Sequence, residues 1–236
     1  MNVAARADVE SGAAPEAVLR WAYESFPRVA IVASFQAESS VLIDMAVRIR
    51  PHVHVLTLDT GRLPQETYDM IDRVRDRYAI EIEVVSPDAA ELNQMVGSHG
   101  ANLFLRSPDL RRLCCEVRKS RPLARALHGY DAWVTGLRRQ QAATRSQTPV
   151  VAPDPEHEGL TKIAPLASWT KDQVWAYIHD HDLPVHPLYE RGYTSIGCAP
   201  CTRATVAGEG ERAGRWWWEA ENEVKECGLH WAVKQS

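Results

Sequence analysis

The stretch RVAIVAS, residues 28–34, is a short apolar, partly β-branched run without polar alternation. A strand has this character when both of its faces are covered, as in a parallel sheet. Working outward, ESSVLIDMAVRIR (38–50) has the apolar spacing of a helix, and HVHVLTL (52–58) returns to a strand. The alternation repeats: PQETYDMIDRVRDRY (64–78) reads as a helix with Pro64 near its first turn, and IEIEVV (80–85) as a strand. APEAVLRWAYESF (14–26) precedes the first strand as a helix, and DAWVTG (131–136) supplies a fourth strand. This alternation implies an α/β fold, a parallel twisted sheet with helices on both faces, whose ligands lie at the carboxyl ends of the strands.

Between the third and fourth strands, Ser86-Pro87 is expected to cap one helix and Ser107-Pro108 another, the second carrying LCCEVRK (113–119). From 137 to 165 the chain is polar and broken by Pro149, Pro153, Pro155 and Pro165, which reads as an extended active-site loop. TKDQVWAYIHDH (170–181) opens with Thr170 and Gln173 at capping-box spacing and is a helix. From Leu183 onward the pattern is a loop-rich C-terminal segment with a last helix near GRWWWEAENEVKE (214–226). The chain reads as a single domain over 1–236, with a disordered head over 1–13 and a mobile segment over 219–236.

Apolar residues make up 45% of the 236 and charged residues 25%, enough for a full core and unlike a disordered chain. No apolar run reaches the roughly 18 residues of a membrane span. MNVAARADVESGAAPEA (1–17) lacks the apolar centre of a secretory signal and carries acidic residues that a transit peptide avoids. A cytoplasmic protein without membrane association is expected. The net charge of −4 argues against a nucleic-acid-binding surface. Positive charge is concentrated between Arg106 and Arg125 and again at Arg138, Arg139, Arg145, Arg203, Arg212 and Arg215, which suits a small anionic ligand.

In a reducing compartment, five cysteines point to metal ligation plus a reactive thiol rather than to disulfides. GCAPC (197–201) sets Cys198 and Cys201 at the spacing that lets one turn offer two thiolates to a metal. Cys114 and Cys115 complete a set of four. Adjacent side chains on a helix diverge by about 100°, which suits the separate iron corners of a 4Fe-4S cluster better than one zinc ion. Buried, inert thiols are the plain alternative. Lys119, one turn beyond Cys115, shares its helix face; its ammonium can offset a negative cluster and reach an anion, or can simply be solvated. Cys227 in KECGLH (225–230) is either a mobile nucleophile held as thiolate by nearby cations, its free pKa being about 8.5, or an exposed tail thiol.

These segments follow one another in a telling order. SFQAESSVLIDMA (34–46), LDTG (58–61) with PQETY (64–68), CCEVRK (114–119), TGLRRQQAATRS (135–146), PLASWTKDQVWAYI (165–178), GYTSIGCAPCTR (192–203), GRWWWE (214–219) and ECGLH (226–230) together cover nearly the whole chain. They resemble the assimilatory adenylyl-sulfate reductases, relatives of the phosphoadenylyl-sulfate reductases. The resemblance implies an adenine nucleotide α-hydrolase-like, Rossmann-like fold. It also implies thioredoxin-dependent reduction of adenosine 5′-phosphosulfate to sulfite and AMP, in sulfate assimilation toward cysteine.

Further implications concern single residues. Cys227 is implied as the nucleophile that attacks the sulfate sulfur and becomes a Cys S-sulfonate, and Cys114, Cys115, Cys198 and Cys201 as ligands of one 4Fe-4S cluster. Lys119, Arg145, Arg212, Arg215 and His230 match the family's substrate ligands, with Arg138 able to stand in for Arg145. Ser34, Phe35, Leu58 and Gly136 match its adenosine pocket. Trp216, Trp217 and Trp218 fall in a family signature, although aromatic packing is their expected role. Plant members append a thioredoxin-like domain, whereas this chain stops six residues after His230, so a separate thioredoxin is the expected donor. A homo-oligomer is compatible with the sequence.

SFQAESS (34–40) lacks the Gly-Gly pair and the Asp with which related ATP pyrophosphatases grip pyrophosphate, which argues against an ATP-cleaving enzyme. Two alternatives stay open. One is reduction of the 3′-phosphorylated nucleotide, alone or as a second substrate. The other is a nucleotide-binding iron-sulfur redox sensor, which leaves ECGLH unexplained.

Overall fold

The structure, a computed structural model, describes residues 13–157, 159–220, 225 and 226. Cys227 and His230 lie outside the described residues, as do all but Ala13 of the expected head and most of the expected mobile segment.

The strands are β1 Val29–Val32, β2 His54–Leu58, β3 Ile82–Val85, β4 Ala132–Val134, β5 Val151–Asp154 and β6 Leu160–Ile163. They form one sheet in the order β3-β2-β1-β4-β6-β5. The first five in that order run parallel, and β5 pairs antiparallel with β6 at the edge. The α-helices are α1 Pro15–Ser25, α2 Ala37–Ile49, α3 Gln65–Tyr78, α4 Ala89–His99, α5 Pro108–Cys115, α6 Arg121–Leu127 and α7 Lys171–Asp180.

The two-residue period of a strand divides the sheet's side chains between two cores. Val29, Ile31, Val55, Ala132 and Val134 face a large cluster shared with residues of α1, α2, α3 and α7. Ala30, Leu56 and Trp133 face the other way, onto Leu123 and Leu127 of α6. Both faces are therefore covered, which is why the central strands read as unbroken apolar runs. α2 is buried from Ala37 to Ala46 without interruption, because it lies between the sheet and its neighbours α1 and α7.

Three local expectations need correction. The helix after β3 is capped by Asp88, whose carboxylate accepts the Ala90 and Glu91 N–H groups at 2.9 Å each, and not by Ser86-Pro87. The stretch 137–165 is not all loop: it contains β5 and β6. An edge strand leaves one row of N–H groups without ladder partners, so Pro153 within β5 is tolerated there. Residues 214–220 form turns rather than a helix, since Trp216 is buried with φ at 44°, a left-handed conformation no helix accommodates. Ser107 caps α5 as expected, accepting from Leu110 N–H at 3.2 Å, and Thr170 with Gln173 closes the capping box of α7.

His186 ties the loop-rich segment to α3. It is fully buried, its Nδ1 accepts the Leu188 N–H at 3.3 Å, and its Nε2 donates to Thr67 Oγ1 at 3.0 Å. Burial lowers its pKa to about 4, against the opposing pull of Glu66 and Asp69. The unfolded chain takes up a proton near pH 6.5 that the folded one refuses, so His186 costs stability as pH falls from about 6.5 to about 4, by roughly 3 kcal/mol at the low end. Urea unfolding at pH 7 and pH 4.5 should show this fall, and it should be smaller in His186→Gln; an equal fall in both would assign the effect elsewhere.

Candidate active site

The strand order reverses direction at β1, which lies between β2 and β4, and a crevice opens at the carboxyl ends of these strands. A cavity of about 150 Å³ occupies it. Val32, Ala33 and Ser34 line it from the end of β1, Thr57 and Leu58 from β2, and Thr135 and Gly136 from β4. Phe35 has φ at 56°, and this left-handed turn sends its ring into the main core while Ser34 and Gln36 face the cavity. The turn is held by Ser34 N–H donating to Ser39 Oγ at 3.0 Å and by Gln36 Oε1 accepting the Ile196 N–H at 2.7 Å. Gly136 is required by close approach: a Cβ there would lie 2.8 Å from the Glu38 Cβ.

Cys114, Cys115, Cys198 and Cys201 line a second, smaller cavity beside the first, together with Arg62, Phe104, Arg111, Arg118 and Lys119. All four are buried and free of disulfides. α5 ends at Cys115 and the chain continues as one π-helical turn, Glu116–Ser120, a widening of the helix often found at functional sites. Cys198 and Cys201 flank a short 3₁₀ turn docked on the β2 loop, Ala199 N–H donating to Arg62 O at 2.8 Å and Thr60 Oγ1 lying 3.2 Å from Cys198 Sγ. Burial, reinforced by the neighbouring Cys198 and Cys115 sulfurs, pushes the Cys201 thiol up to about 12. Burial also raises Cys114, against the pull of Arg118. Among the described residues no three His, Cys, Asp or Glu side chains draw together as ligands of a single ion do. The thiols face one space without closing on one point.

The cations around these cavities differ in their partners. Arg138 is fully enclosed, donating to Glu38 at 2.7 Å and to Glu211 at 2.9 and 3.1 Å. Arg111 donates to Glu219 at 2.7 Å and stacks on Trp216, 4.6 Å from its ring centre. Arg145 Nε and Nη2 donate to the two carboxylate oxygens of Glu226 at 2.8 and 2.7 Å, and Arg212 Nη2 adds a bond of 3.1 Å. Burial alone would raise the Glu226 carboxyl, but Arg145 and Arg212 outweigh it and hold the group below its usual range. Arg215 lies 4.7 Å from the Trp216 ring centre, and its Nε has no partner among the described residues. Arg118 Nη1 donates to Thr60 O, tying the cysteine helix to the β2 loop.

Of the residues expected to form the site, Ser34, Leu58, Gly136, Lys119, Arg145, Arg212 and Arg215 line the main cavity together. Lys119 lines both cavities and so links the thiols to the crevice. Phe35 supports from the core and does not reach the space. Arg138, offered as an alternative to Arg145, does not line it, being committed to Glu38 and Glu211. Trp216 packs among the cysteines, as expected for an aromatic filler, and also gives Arg111, Arg212 and Arg215 a shared ring face. Glu226 was not foreseen. A glutamate inside a motif named for its cysteine gave no hint of partners some 80 positions upstream.

The fold and crevice define a nucleotide-binding α/β protein with a basic, thiol-flanked site. The chain matches the phosphoadenosine phosphosulfate reductase domain over residues 28–204 and belongs to that family. It is 46% identical to an adenosine 5′-phosphosulfate reductase of Burkholderia cepacia over 91% of this chain and 85% of that one. It is 48% identical to another of Allochromatium vinosum over 86% of this chain and 78% of the relative. Among solved structures, a phosphoadenylyl-sulfate reductase from Candida auris, a phosphate complex, superposes with a TM-score of 0.70 at 31% identity, covering 83% of this chain and 92% of that one. FMN adenylyltransferase of Candida glabrata, with a TM-score of 0.61 at 13% identity over 99% of this chain and 80% of its own, shares the fold alone. The adenine nucleotide α-hydrolase-like architecture is thus established.

Gly197 gives a direct check on the arginine arrangement. A Cβ there would overlap the Arg215 guanidinium. Gly197→Ala must displace the far end of a long side chain, so urea unfolding should show a loss of at most about 1 kcal/mol, the low end of overpacking costs; a loss of several kcal/mol would mean that Arg215 is held rigidly there.

Proposed function

We propose that this chain, as a single reductase domain over 1–236, reduces adenosine 5′-phosphosulfate to sulfite and AMP. The observation that carries this reading is the convergence of Lys119, Arg145, Arg212 and Arg215 on one crevice, with the residue before Cys227 seated on two of them. Adenosine sits among Ser34, Leu58 and Gly136, and the phosphosulfate extends toward the cations. His230, outside the described residues, is retained as a further anion contact.

The cations first screen the like charges of thiolate and phosphosulfate, without which a thiolate could not approach. The Cys227 thiolate then attacks sulfur, the S–O bond to the phosphate breaks, and AMP leaves with the bonding pair. The product is a Cys S-sulfonate. A thioredoxin thiolate next attacks the Cys227 sulfur, the S–S bond breaks, and sulfite departs with the electron pair. The second thioredoxin thiol resolves the mixed disulfide, so thioredoxin loses two electrons and sulfate sulfur gains them.

Cys114, Cys115, Cys198 and Cys201 line one small cavity, and we propose them as ligands of a 4Fe-4S cluster, whose separate iron corners suit adjacent helix side chains better than one zinc ion does. Bound there, the cluster would supply fixed charge beside the crevice. Lys119 is the residue of this chain that would offset that charge while facing the substrate. No helix among the described residues is long and apolar enough to cross a membrane. Separately, we propose a cytoplasmic location, in keeping with free thiols and a thioredoxin donor.

Sulfite release in the presence of thioredoxin tests the activity. Adenosine 5′-phosphosulfate should turn over and its 3′-phosphorylated counterpart should be poor; the reverse preference would move the substrate assignment to the second nucleotide. Lys119→Ala should lose about a hundredfold in kcat/KM, or about 2.7 kcal/mol, and Lys119→Arg much less. Equal losses would exclude charge as the role. Iron and acid-labile sulfide should be present in equal amounts, and zinc without sulfide would overturn the cluster.

A further inference from the structure

Glu226 is a buried anion in the place where an anionic substrate is expected. Its carboxylate takes four hydrogen bonds: two from Arg145, one from Arg212, and one from Thr144 Oγ1 at 2.9 Å. Its backbone carbonyl takes a fifth, from Arg111 Nη1 at 2.8 Å, and Arg212 Nη2 also donates to Lys225 O at 3.2 Å. Arg145 has its remaining nitrogen on Gln141 Oε1 at 2.6 Å, so all three of its nitrogens are engaged. Both arginines line the crevice. As arranged, the Arg145 fork that would clamp a sulfate or phosphate is filled by a side chain of the protein itself.

We propose that Glu226 is a resident counterion that competes with the substrate's anionic group for Arg145 and Arg212, and that substrate binding exchanges one anion for the other. This rests on the substrate reading above. A buried guanidinium, that of Arg145, and a largely covered one, that of Arg212, would be costly without an anion, and the carboxylate supplies it. A planar carboxylate and a tetrahedral oxyanion both suit the arginine fork, but both cannot occupy it at once. Only the bonds to the carboxylate take part in the exchange; the bond from Arg111 to the Glu226 backbone carbonyl does not. The residue thereby tunes affinity for the anionic part of the ligand and not for its adenosine.

Binding measured in a Cys227→Ser background, where no thiolate can react, tests this by calorimetry with adenosine 5′-phosphosulfate and with adenosine. Glu226→Gln keeps the shape and removes the charge. It should bind adenosine 5′-phosphosulfate about tenfold more tightly and adenosine unchanged. Glu226→Asp keeps the charge for folding but withdraws it by one methylene, and should fall between; it also serves if the glutamine variant does not fold. Affinity for adenosine 5′-phosphosulfate that is unchanged or weaker in the variants overturns the competition, as does an equal gain for adenosine, which would mean general loosening. No binding to the Cys227→Ser parent overturns the substrate reading and this inference with it, whereas binding indifferent to Glu226 overturns this inference alone.

Discussion

Carboxylates set against guanidinium groups taken out of water organise the crevice of this protein, while Arg118 and Arg215 are buried against backbone carbonyls instead. Arg111 is matched with Glu219, Arg138 with Glu38 and Glu211, and Arg145 with Glu226. Each pair joins segments far apart in sequence, so the electrostatics that satisfy the arginines also close the loop-rich half of the chain onto the sheet. Removing one partner of such a pair costs far more than the pair contributes, because the other charge is left buried. Charge matching and topology are therefore the same constraint here.

The sheet decides where that constraint operates. Reversal of strand order between β1 and β4 opens the crevice, and the turn through Phe35 narrows it by sending a ring to the core and two polar neighbours to the space. The cysteine helix arrives from one side and the Cys198–Cys201 turn from another, both fastened to the loop after β2 through Arg118 and Ala199. Trp216 fills the gap between them and lends its ring to three arginines. Thiols and cations are thus brought side by side, Arg111 from the same helix as Cys114 and Cys115, and Arg145, Arg212 and Arg215 from other parts of the chain.

The first four strands and the helices between them were legible in the sequence: two-sided burial leaves an apolar run in β1 and β4, IEIEVV marks the edge strand β3, and 3.6-residue spacing marks the helices. β5 and β6 were not: β5 is an edge strand that tolerates Pro153 and so reads as loop, and β6, LTKI, is too short and too polar to stand out. The end of the chain misled in the opposite direction: GRWWWE has helical composition, yet Trp216 adopts a left-handed conformation to place its ring between arginines and cysteines, a tertiary demand that local pattern does not carry. Seven of the residues singled out through the order of motifs line the main cavity, a minority of its lining. The pairing of Glu226 with Arg145 was not legible, because a contact across 81 positions leaves no local periodicity.

The central claim is that this cation-lined crevice delivers a phosphosulfate to Cys227. Incubating the reduced chain with adenosine 5′-phosphosulfate in the absence of thioredoxin, followed by intact-mass and fragment analysis, tests it most directly. The expected result is a gain of one SO₃ group located on Cys227, with AMP released in equal amount. An unmodified chain, or the group found on any of the four other cysteines, would contradict it.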